Sequence, residues 1–114
     1  MAGAVRRLAA YGTLQPGQPN HHQMAGMAGT WRPGSVRGHL HQSGWGAAVG
    51  FPGLVADPAG PEVPVSLFKS DDLVDHWPRL DAFEGEGYVR TTIDVATAEG
   101  MVQAQIYLLA PQVT

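Results

Sequence analysis

The sequence predicts an α+β domain built mainly from short β-strands, with a few short helices. Fifteen Gly and nine Pro among 114 residues interrupt every apolar run, as is typical of a fold with short strands and many turns. Apolar residues alternate along residues 88–95 and again along 101–109, and a period of two predicts strands. The length suits one compact core, so we expect residues 1–114 to form a single domain.

The N-terminal third predicts extended segments separated by a weak helix. Residues 5–10 form a short apolar segment around Arg6-Arg7 and stop at Tyr11-Gly12, which indicates a strand that leads into a tight turn. Asn20 can cap a brief helix over the next four residues. Residues 30–41 predict either a pair of strands or one strand bent around Pro33-Gly34.

The middle of the chain is dominated by turn signals. Residues 44–53 contain four glycines, a pattern that suits backbone packed closely against another element. Asp57-Pro58-Ala59-Gly60-Pro61 is the clearest turn in the sequence. Residues 63–68 predict a further strand, and Pro64 assigns it to a sheet edge because proline lacks the N–H that an interior strand needs.

A helical region follows that strand. Ser70 can cap a helix whose first turn contains Asp71-Asp72, since acidic side chains are favourable near the positive end of the helix dipole. Pro78 is expected to end this helix and to start a second helical turn over residues 78–84. Gly85 would terminate that turn. Its apolar residues are expected to point inward: Leu80 and Phe83.

The C-terminal segments predict a β-hairpin. Residues 88–95 place Val89, Ile93 and Val95 on one face of a strand, the face expected to be buried, and Arg90 on the other. Residues 101–109 alternate in the same way. Glu99-Gly100 lies between them, as expected for a hairpin turn.

Composition excludes several classes of function. The sequence has no cysteine, so disulfides, thiolate nucleophiles and Cys-based metal sites are ruled out. Its seven Arg and Lys residues are spread along the chain, whereas nucleic-acid binding needs a basic patch. No apolar run reaches the length of a membrane span, and residues 1–10 lack a signal-peptide core. We therefore expect a cytoplasmic protein without nucleic-acid or membrane partners.

The fragment Tyr11-Gly12-Thr13-Leu14 is a candidate anion-binding turn. Its simplest interpretation is a common transition from strand to turn, in which Gly supplies conformational freedom. Its functional interpretation is that successive N–H groups of Gly12, Thr13 and Leu14 point into a pocket and neutralise a substrate carboxylate without a cationic side chain. The residues alone leave both interpretations open.

Glu84 is a candidate proton shuttle. An acid at the end of a helix faces the negative end of the dipole, which raises the carboxyl pKa, and Asp81 three residues earlier would raise it further. A raised pKa is what a base at neutral pH requires. The alternatives are a solvated surface acid and a shift of the role to Glu86.

Other candidate residues are aromatic or imidazole side chains. Trp45 lies in the glycine-rich loop, and Trp45 and this loop, residues 44–53, are predicted to form the pocket wall beside the variable part of a ligand. Tyr88 and Tyr107 can hydrogen-bond a ligand from adjacent strands or simply pack within the sheet. His39 and His41 share a strand face but have no third ligand at a suitable spacing, so we expect no metal and no cofactor.

Six fragments resemble, in order, the signature of the γ-glutamylcyclotransferase-like (AIG2-like) family. The resemblance spans nearly the whole chain and implies a small mixed β-barrel with short peripheral helices and a pocket at one mouth. It also implies that Glu84 is the catalytic acid/base and that residues 11–14 form the substrate-binding loop. The fragments are Tyr11-Gly12-Thr13-Leu14, Gly38-His39-Leu40, Phe51-Pro52-Gly53-Leu54, Leu80-Asp81-Ala82-Phe83-Glu84-Gly85, Tyr88-Val89-Arg90 and Ala104-Gln105-Ile106-Tyr107.

The resemblance implies a cofactor-independent cyclotransferase that acts on a small molecule. Its substrate would be a γ-glutamyl amide whose own α-amine attacks the γ-carbonyl, releasing 5-oxoproline and a free amine. Because the nucleophile comes with the substrate, the protein needs only to orient the glutamyl group and to transfer protons. The alternative is a non-catalytic module of the same fold that binds a small ligand or a peptide end in the same pocket.

Overall fold

The computed structural model describes residues 3–45, 48 and 50–111. Within these ranges the strands are β1 (Arg7–Ala10), β2 (Thr30–His41), β3 (Gly53–Ala56), β4 (Glu62–Lys69), β5 (Tyr88–Thr97) and β6 (Gly100–Leu109). One α-helix, α1 (Leu73–Glu84), connects β4 to β5. Short 3₁₀ turns lie at Ala4–Arg6, His21–Met24 and Gly85–Gly87. No helix in the described ranges is long and apolar enough to cross a membrane.

The strands form a mixed sheet that closes on itself. Their order is β3-β2-β4-β1-β6-β5, and Ser35 of β2 also pairs with Ala96 of β5. This last pairing closes five strands into a barrel, while β3 extends β2 outside it. β1 and β6 run parallel, with Leu8 opposite Gln105, and the other pairings are antiparallel. The predicted small mixed β-barrel is confirmed.

Two apolar clusters form the core because strand side chains alternate between the faces of the sheet. One cluster contains only strand residues and includes Val36, Val95 and Ile106, which are fully or almost fully buried. The other packs α1 against the outer face of the barrel and includes Leu80 and Tyr107. The cavity described below opens beside this second cluster.

Helix α1 continues through Pro78, so the predicted end at this residue is wrong. Proline in a helix interior removes one hydrogen bond, here to the carbonyl of Val74. The helix persists because Trp77 and Leu80, which flank the proline, are both buried against the barrel. Gly85 ends α1 with φ of +74°, as predicted.

The start of α1 and its apolar face differ in detail from the prediction. The Ser70 hydroxyl accepts the N–H of Asp72 at 3.1 Å, as a capping residue does, although the helix itself begins at Leu73. Leu80 is fully buried, but Phe83 is 38% exposed. The expected inward position of Phe83 is therefore wrong, and its side chain lines the cavity instead.

Strand positions account for two further corrections. β4 lies between β2 and β1, so the predicted sheet-edge position of Pro64 is wrong. The proline is tolerated because the ladder between β1 and β4 ends at Ser66, which leaves Pro64 paired only with Ser35 of β2. Val89, predicted on a buried face, is 47% exposed.

Most of the remaining turns and strands agree with the sequence, but β3 (Gly53–Ala56) was not predicted. Residues 30–41 form one continuous strand, the second of the two alternatives. Gly44 and Gly53 both pack so closely on Leu109 that a Cβ would lie 2.6 Å or less from its side chain. The hairpin between β5 and β6 turns at Ala98-Glu99, one residue before the predicted Glu99-Gly100, and Gly100 is the first residue of β6.

Candidate active site

A cavity of about 490 Å³ opens where the chain leaves β1 and where α1 ends. Every predicted site residue except Trp45 lines it. Those residues are Tyr11, Gly12, Thr13, Leu14, Glu84, Tyr88 and Tyr107. Segments distant in sequence therefore meet around one space, and their roles there remain predictions.

Glu84 is the only charged side chain among the described residues that line the cavity. It is half-buried, and burial raises its pKa to about 7. Its carboxylate forms no hydrogen bond with any part of the chain that the structure describes. A carboxyl group with a pKa near neutrality and no internal partner is suited to accepting and donating a proton.

The turn after β1 has its carbonyl groups occupied. The N–H of Gln15 donates to the carbonyl of Gly12 at 3.3 Å, which closes a β-turn. The N–H of Asn20 donates to the carbonyl of Thr13 at 3.0 Å, and Nδ1 of His21 bonds the carbonyl of Leu14 at 2.9 Å. The 3₁₀ turn that follows thus holds the carbonyl side of this turn against the protein.

The amide groups of the same turn have no hydrogen-bond partner among the residues that the structure describes. Within the described residues, the N–H groups of Gly12, Thr13 and Leu14 donate to no acceptor, although all three residues line the cavity. Such N–H groups bind anions. Sequence reasoning assigned Asn20 to a helix cap, but its side chain donates to the Thr13 hydroxyl at 3.0 Å and makes no capping bond.

The three tyrosines donate their hydroxyl protons within the protein. Tyr11 bonds the carbonyl of Tyr107 at 2.5 Å and accepts the N–H of Leu54 at 3.1 Å. Tyr88 bonds the carbonyl of Pro52 at 2.7 Å, and Tyr107 bonds Asp81 at 2.7 Å. Burial raises the pKa of Tyr11 and Tyr107 well above the usual range, and of Tyr88 as well. Since a tyrosine has one hydroxyl proton, none is left to donate to a ligand.

Trp45 does not line the cavity, contrary to the expected wall position. Its indole N–H donates to the carbonyl of Ala110 at 2.8 Å, and its ring packs edge-on against His41. The same loop instead contributes Phe51 and Pro52, which lie within the predicted wall of residues 44–53. Residues 46, 47 and 49, which belong to the predicted glycine-rich wall, lie outside the described residues.

Asp81 forms a network beside the cavity. Arg90 donates to both of its carboxylate oxygens, at 2.8 and 3.3 Å, and also bonds Gln105 at 2.9 Å. Burial raises the pKa of Asp81, but hydrogen bonds from Arg90 and Tyr107 outweigh it and bring this pKa below its ordinary value. Asp81 is thus paired with a cation, and the rise in the pKa of Glu84 comes from burial, not from Asp81 as the sequence had suggested.

Other candidate residues lie apart from the cavity. Glu86 is in the exposed 3₁₀ turn after α1 and does not line it. His39 bonds Asp57 at 2.8 Å on the surface. Among the described residues, no three His, Asp or Glu side chains gather as a metal site requires.

The chain is similar to one known protein family and to several solved structures. Residues 8–114 match the family described as gamma-glutamyl cyclotransferase, AIG2-like, while no curated protein matches the sequence. An AIG2-like protein from Mus musculus has a similar structure, with a TM-score of 0.73 and 26% identity over 95% of this chain and 79% of the mouse chain.

Two microbial structures are also similar. YkqA from Bacillus subtilis has a TM-score of 0.70 and 30% identity over 91% of this chain. This chain spans only 35% of the length of YkqA. The uncharacterized protein PH0828 from Pyrococcus horikoshii has a TM-score of 0.63 at 22% identity, over 95% of this chain and 80% of its own, and shares the fold.

Proposed function

This chain belongs to the gamma-glutamyl cyclotransferase, AIG2-like family, and we propose that it releases 5-oxoproline and a free amine from a γ-glutamyl amide. The observation that carries the proposal is Glu84, a carboxyl group that has no hydrogen-bond partner in the described part of the chain and whose pKa burial raises to about 7. It shares its cavity with the three unbonded amides of residues 12–14. A base and an anion-binding turn together suit the ammonium and the carboxylate of a glutamyl group.

Binding would use these two features separately. The amides of Gly12, Thr13 and Leu14 would hold the α-carboxylate, with oxygen atoms about 3 Å from the nitrogens. Glu84 would hold the α-ammonium by a charge-assisted hydrogen bond. No Arg or Lys lines the cavity among the described residues, so the carboxylate would be bound by backbone and not by a cationic side chain. Fixing both ends folds the glutamyl chain into a near-attack geometry.

The reaction then needs only proton transfers and one nucleophilic attack. Glu84 accepts a proton from the α-ammonium, and the free amine attacks the γ-carbonyl carbon to form a five-membered ring with an oxyanion. The bond from this carbon to the leaving nitrogen breaks as Glu84 returns the proton to that nitrogen. The ring nitrogen loses its second proton to the released amine, so the products are 5-oxoproline and an ammonium ion. Glu84 ends as a carboxylate, ready for another cycle.

The oxyanion would be stabilised by backbone. Tyr11, Tyr88 and Tyr107 donate their hydroxyl protons to protein acceptors, so an amide of the turn after β1 is the available donor. One such donor contributes roughly 3 kcal/mol to transition-state stabilisation in comparable sites. The tyrosine rings would instead shape the cavity and exclude water.

The proposal is tested by incubating the protein with γ-glutamyl amides of several amines and measuring 5-oxoproline by mass spectrometry. A matched control is the same amide acetylated on its α-nitrogen, which cannot cyclise. We expect 5-oxoproline and amine in equal amounts from the free α-amine substrates and none from the acetylated ones. Release of glutamate instead would indicate hydrolysis and contradict the proposal. Binding of 5-oxoproline without turnover of any amide would favour the non-catalytic binding module.

A further inference from the structure

Two aromatic side chains line the cavity while remaining open to solvent. Phe51 is 52% exposed and Phe83 is 38% exposed. Among the described residues, the other exposed large apolar side chains, such as Val74 and Met101, lie outside the cavity. Single exposed apolar residues are ordinary on a protein surface, but two aromatic rings at one cavity indicate a binding surface.

The position of Phe83 places it near the leaving nitrogen, and Phe51 lines the same cavity. In the proposed reaction Glu84 serves both nitrogens, so the leaving amine must lie beside Glu84. Phe83 directly precedes Glu84 at the end of α1. The glutamyl end is held at the turn of residues 12–14, and the amine is the part of the substrate that extends toward solvent. The amine substituent therefore meets the exposed aromatic side of the cavity.

The loop that contributes Phe51 is anchored. The carbonyl of Phe51 accepts the N–H of Gly44 at 2.8 Å. The next carbonyl, of Pro52, accepts the Tyr88 hydroxyl at 2.7 Å. The ring of Pro52 lies 3.4 Å from the point where a Cβ on Gly12 would be. These contacts hold the backbone of Phe51 and Pro52 in place, so the position of Phe51 at the cavity is preformed.

The charge of the cavity sets a second condition on the amine. Glu84 is its one charged side chain within the described residues, and no cation lines it. A leaving group with its own carboxylate, such as a free amino acid, would bring a second negative charge near Glu84 with no side chain to pair it. An uncharged apolar substituent adds no negative charge near Glu84 and no polar group that would need a partner in the cavity.

We infer that the leaving amine of this enzyme carries an apolar substituent and no carboxylate, and that Phe51 and Phe83 select it. This inference rests on the proposed cyclotransferase function and names the class of its substrate. It identifies the amine side of the cavity as a separate determinant from the glutamyl side.

The test uses three γ-glutamyl amides that differ in one group at a time. They are the amides of 2-phenylethylamine, of ethylamine, and of phenylalanine, which is 2-phenylethylamine with an added carboxylate. We expect kcat/KM for the phenylethylamide to exceed that for the ethylamide by about tenfold or more, because the ring is sheltered by the two phenylalanines. It should exceed that for the phenylalanine amide by about fivefold, from unpaired charge repulsion.

Variants show whether the two phenylalanines cause the preference. Phe83→Ala and Phe51→Ala should each bring the ratio of phenylethylamide to ethylamide toward one. Val74→Ala removes an exposed apolar side chain from the same helix, away from the cavity, and should leave the ratio unchanged. Thermal melting of all variants separates altered selectivity from unfolding, and Phe51→Ala, in an exposed loop position, serves if Phe83→Ala does not fold.

The results with the three amides distinguish an error in the proposed apolar subsite from an error in the proposed function. If all three amides yield 5-oxoproline but the phenylalanine amide or the ethylamide is preferred, the cyclotransferase stands and the apolar subsite is wrong. If none yields 5-oxoproline, the proposed function is wrong, and calorimetric binding of the three amides to the unmodified protein decides the subsite. Equal affinity for the phenylethylamide and the ethylamide would then overturn it, and a tenfold preference would support it.

Discussion

The hydroxyl of Tyr107 donates a hydrogen bond to Oδ1 of Asp81 over 2.7 Å. Because Asp81 precedes Glu84 by about one helical turn, this bond attaches the end of α1 that carries Glu84 to strand β6. Arg90 of β5 holds the same carboxylate and lies 4.5 Å above the ring of Trp77. The position of Glu84 is therefore determined by two strands as well as by its own helix.

Replacing the tyrosine hydroxyls should lower stability more than turnover. Tyr107→Phe removes a hydrogen bond to a charged group and should cost about 1.5–3 kcal/mol of unfolding free energy, while Tyr88→Phe removes one to a carbonyl and should cost about 1 kcal/mol. We expect kcat to fall less than tenfold in both, since neither hydroxyl has a proton for the substrate. Denaturant unfolding and 5-oxoproline release are the measurements. A Tyr→Phe variant of normal stability that had lost turnover would give that hydroxyl a chemical role.

Glu84→Gln should abolish 5-oxoproline release while ligand binding and folding are retained. The amide preserves the shape of the side chain but cannot accept the ammonium proton. Glu86→Gln, two residues along the chain and outside the cavity, is the matched control and should act weakly. Turnover by mass spectrometry, 5-oxoproline binding by calorimetry and thermal melting distinguish these outcomes. An inactive Glu86→Gln beside an active Glu84→Gln would transfer the role to Glu86.

The rate should depend on the ionisation of Glu84. Burial raises its pKa to about 7, and only the ionised carboxylate can accept the ammonium proton. The value of kcat/KM should therefore rise with pH as one group loses its proton, with a midpoint near pH 7. A pH series on one γ-glutamyl amide measures this. A midpoint near pH 4.5, the ordinary value for this side chain, would show that another environment surrounds Glu84 in the working enzyme.

The same pKa shift has a consequence for stability. A carboxyl group whose pKa is higher in the folded than in the unfolded state stabilises the fold at low pH, and this contribution is lost as pH rises from about 4.5 to about 7. Glu84→Gln does not titrate, so we expect it to unfold like the unmodified protein at pH 4.5. At pH 8 it should be more stable by about 1–2 kcal/mol, a value reduced for partial exposure. Equal stability at both pH values would contradict burial as the cause.

The amide of Thr13 should be required for glutamyl binding. Thr13 is the second residue of the turn closed between Gly12 and Gln15, a position where proline is accommodated. Thr13→Pro thus removes one N–H without opening the turn and should weaken 5-oxoproline binding about tenfold. Thr13→Val loses the hydroxyl but keeps the N–H, and should bind within about threefold of the unmodified protein.

A ligand structure provides the direct test of the same turn. Bound 5-oxoproline should place its carboxylate oxygens about 3 Å from the amides of residues 12–14. A carboxylate held instead by Arg6, Arg7 or Arg90, with the amides facing elsewhere, would refute the assignment. Arg90 is already engaged by Asp81 and Gln105.

The sequence predicted those elements of the fold whose geometry depends on residues that are neighbours in the chain. The β5–β6 hairpin, predicted to within one residue of its turn, and the helix end at Gly85 follow from turn geometry and strand alternation, which neighbouring residues determine. The continuation of α1 through Pro78 depends instead on burial of Trp77 and Leu80 against distant strands, which overrides the local cost of proline.

The candidate site likewise includes features that the sequence predicted and features that depend on contacts between distant residues. A resemblance over the sequence predicted that residues 11–14 and Glu84 belong to one site, and they line one cavity, whereas the positions of Trp45 and Phe51 could not be predicted. Both are aromatic residues of one loop, and which of them reaches the cavity depends on the bond from Trp45 to the carbonyl of Ala110, 65 residues away. Nor does a sequence show that the tyrosine hydroxyls are already bonded.

The parallel pairing of β1 with β6 joins Leu8 to Gln105, near opposite ends of the described chain. A contact between residues so far apart forms only after the intervening chain has been synthesised and arranged, and folds with many such contacts reach the native state slowly. The cavity lies at this junction, since its walls come from residues 8–14 and from Tyr107. We therefore expect the cavity to form late in folding, when β6 enters the sheet, so that partly folded molecules cannot bind substrate and binding capacity reports completed folding.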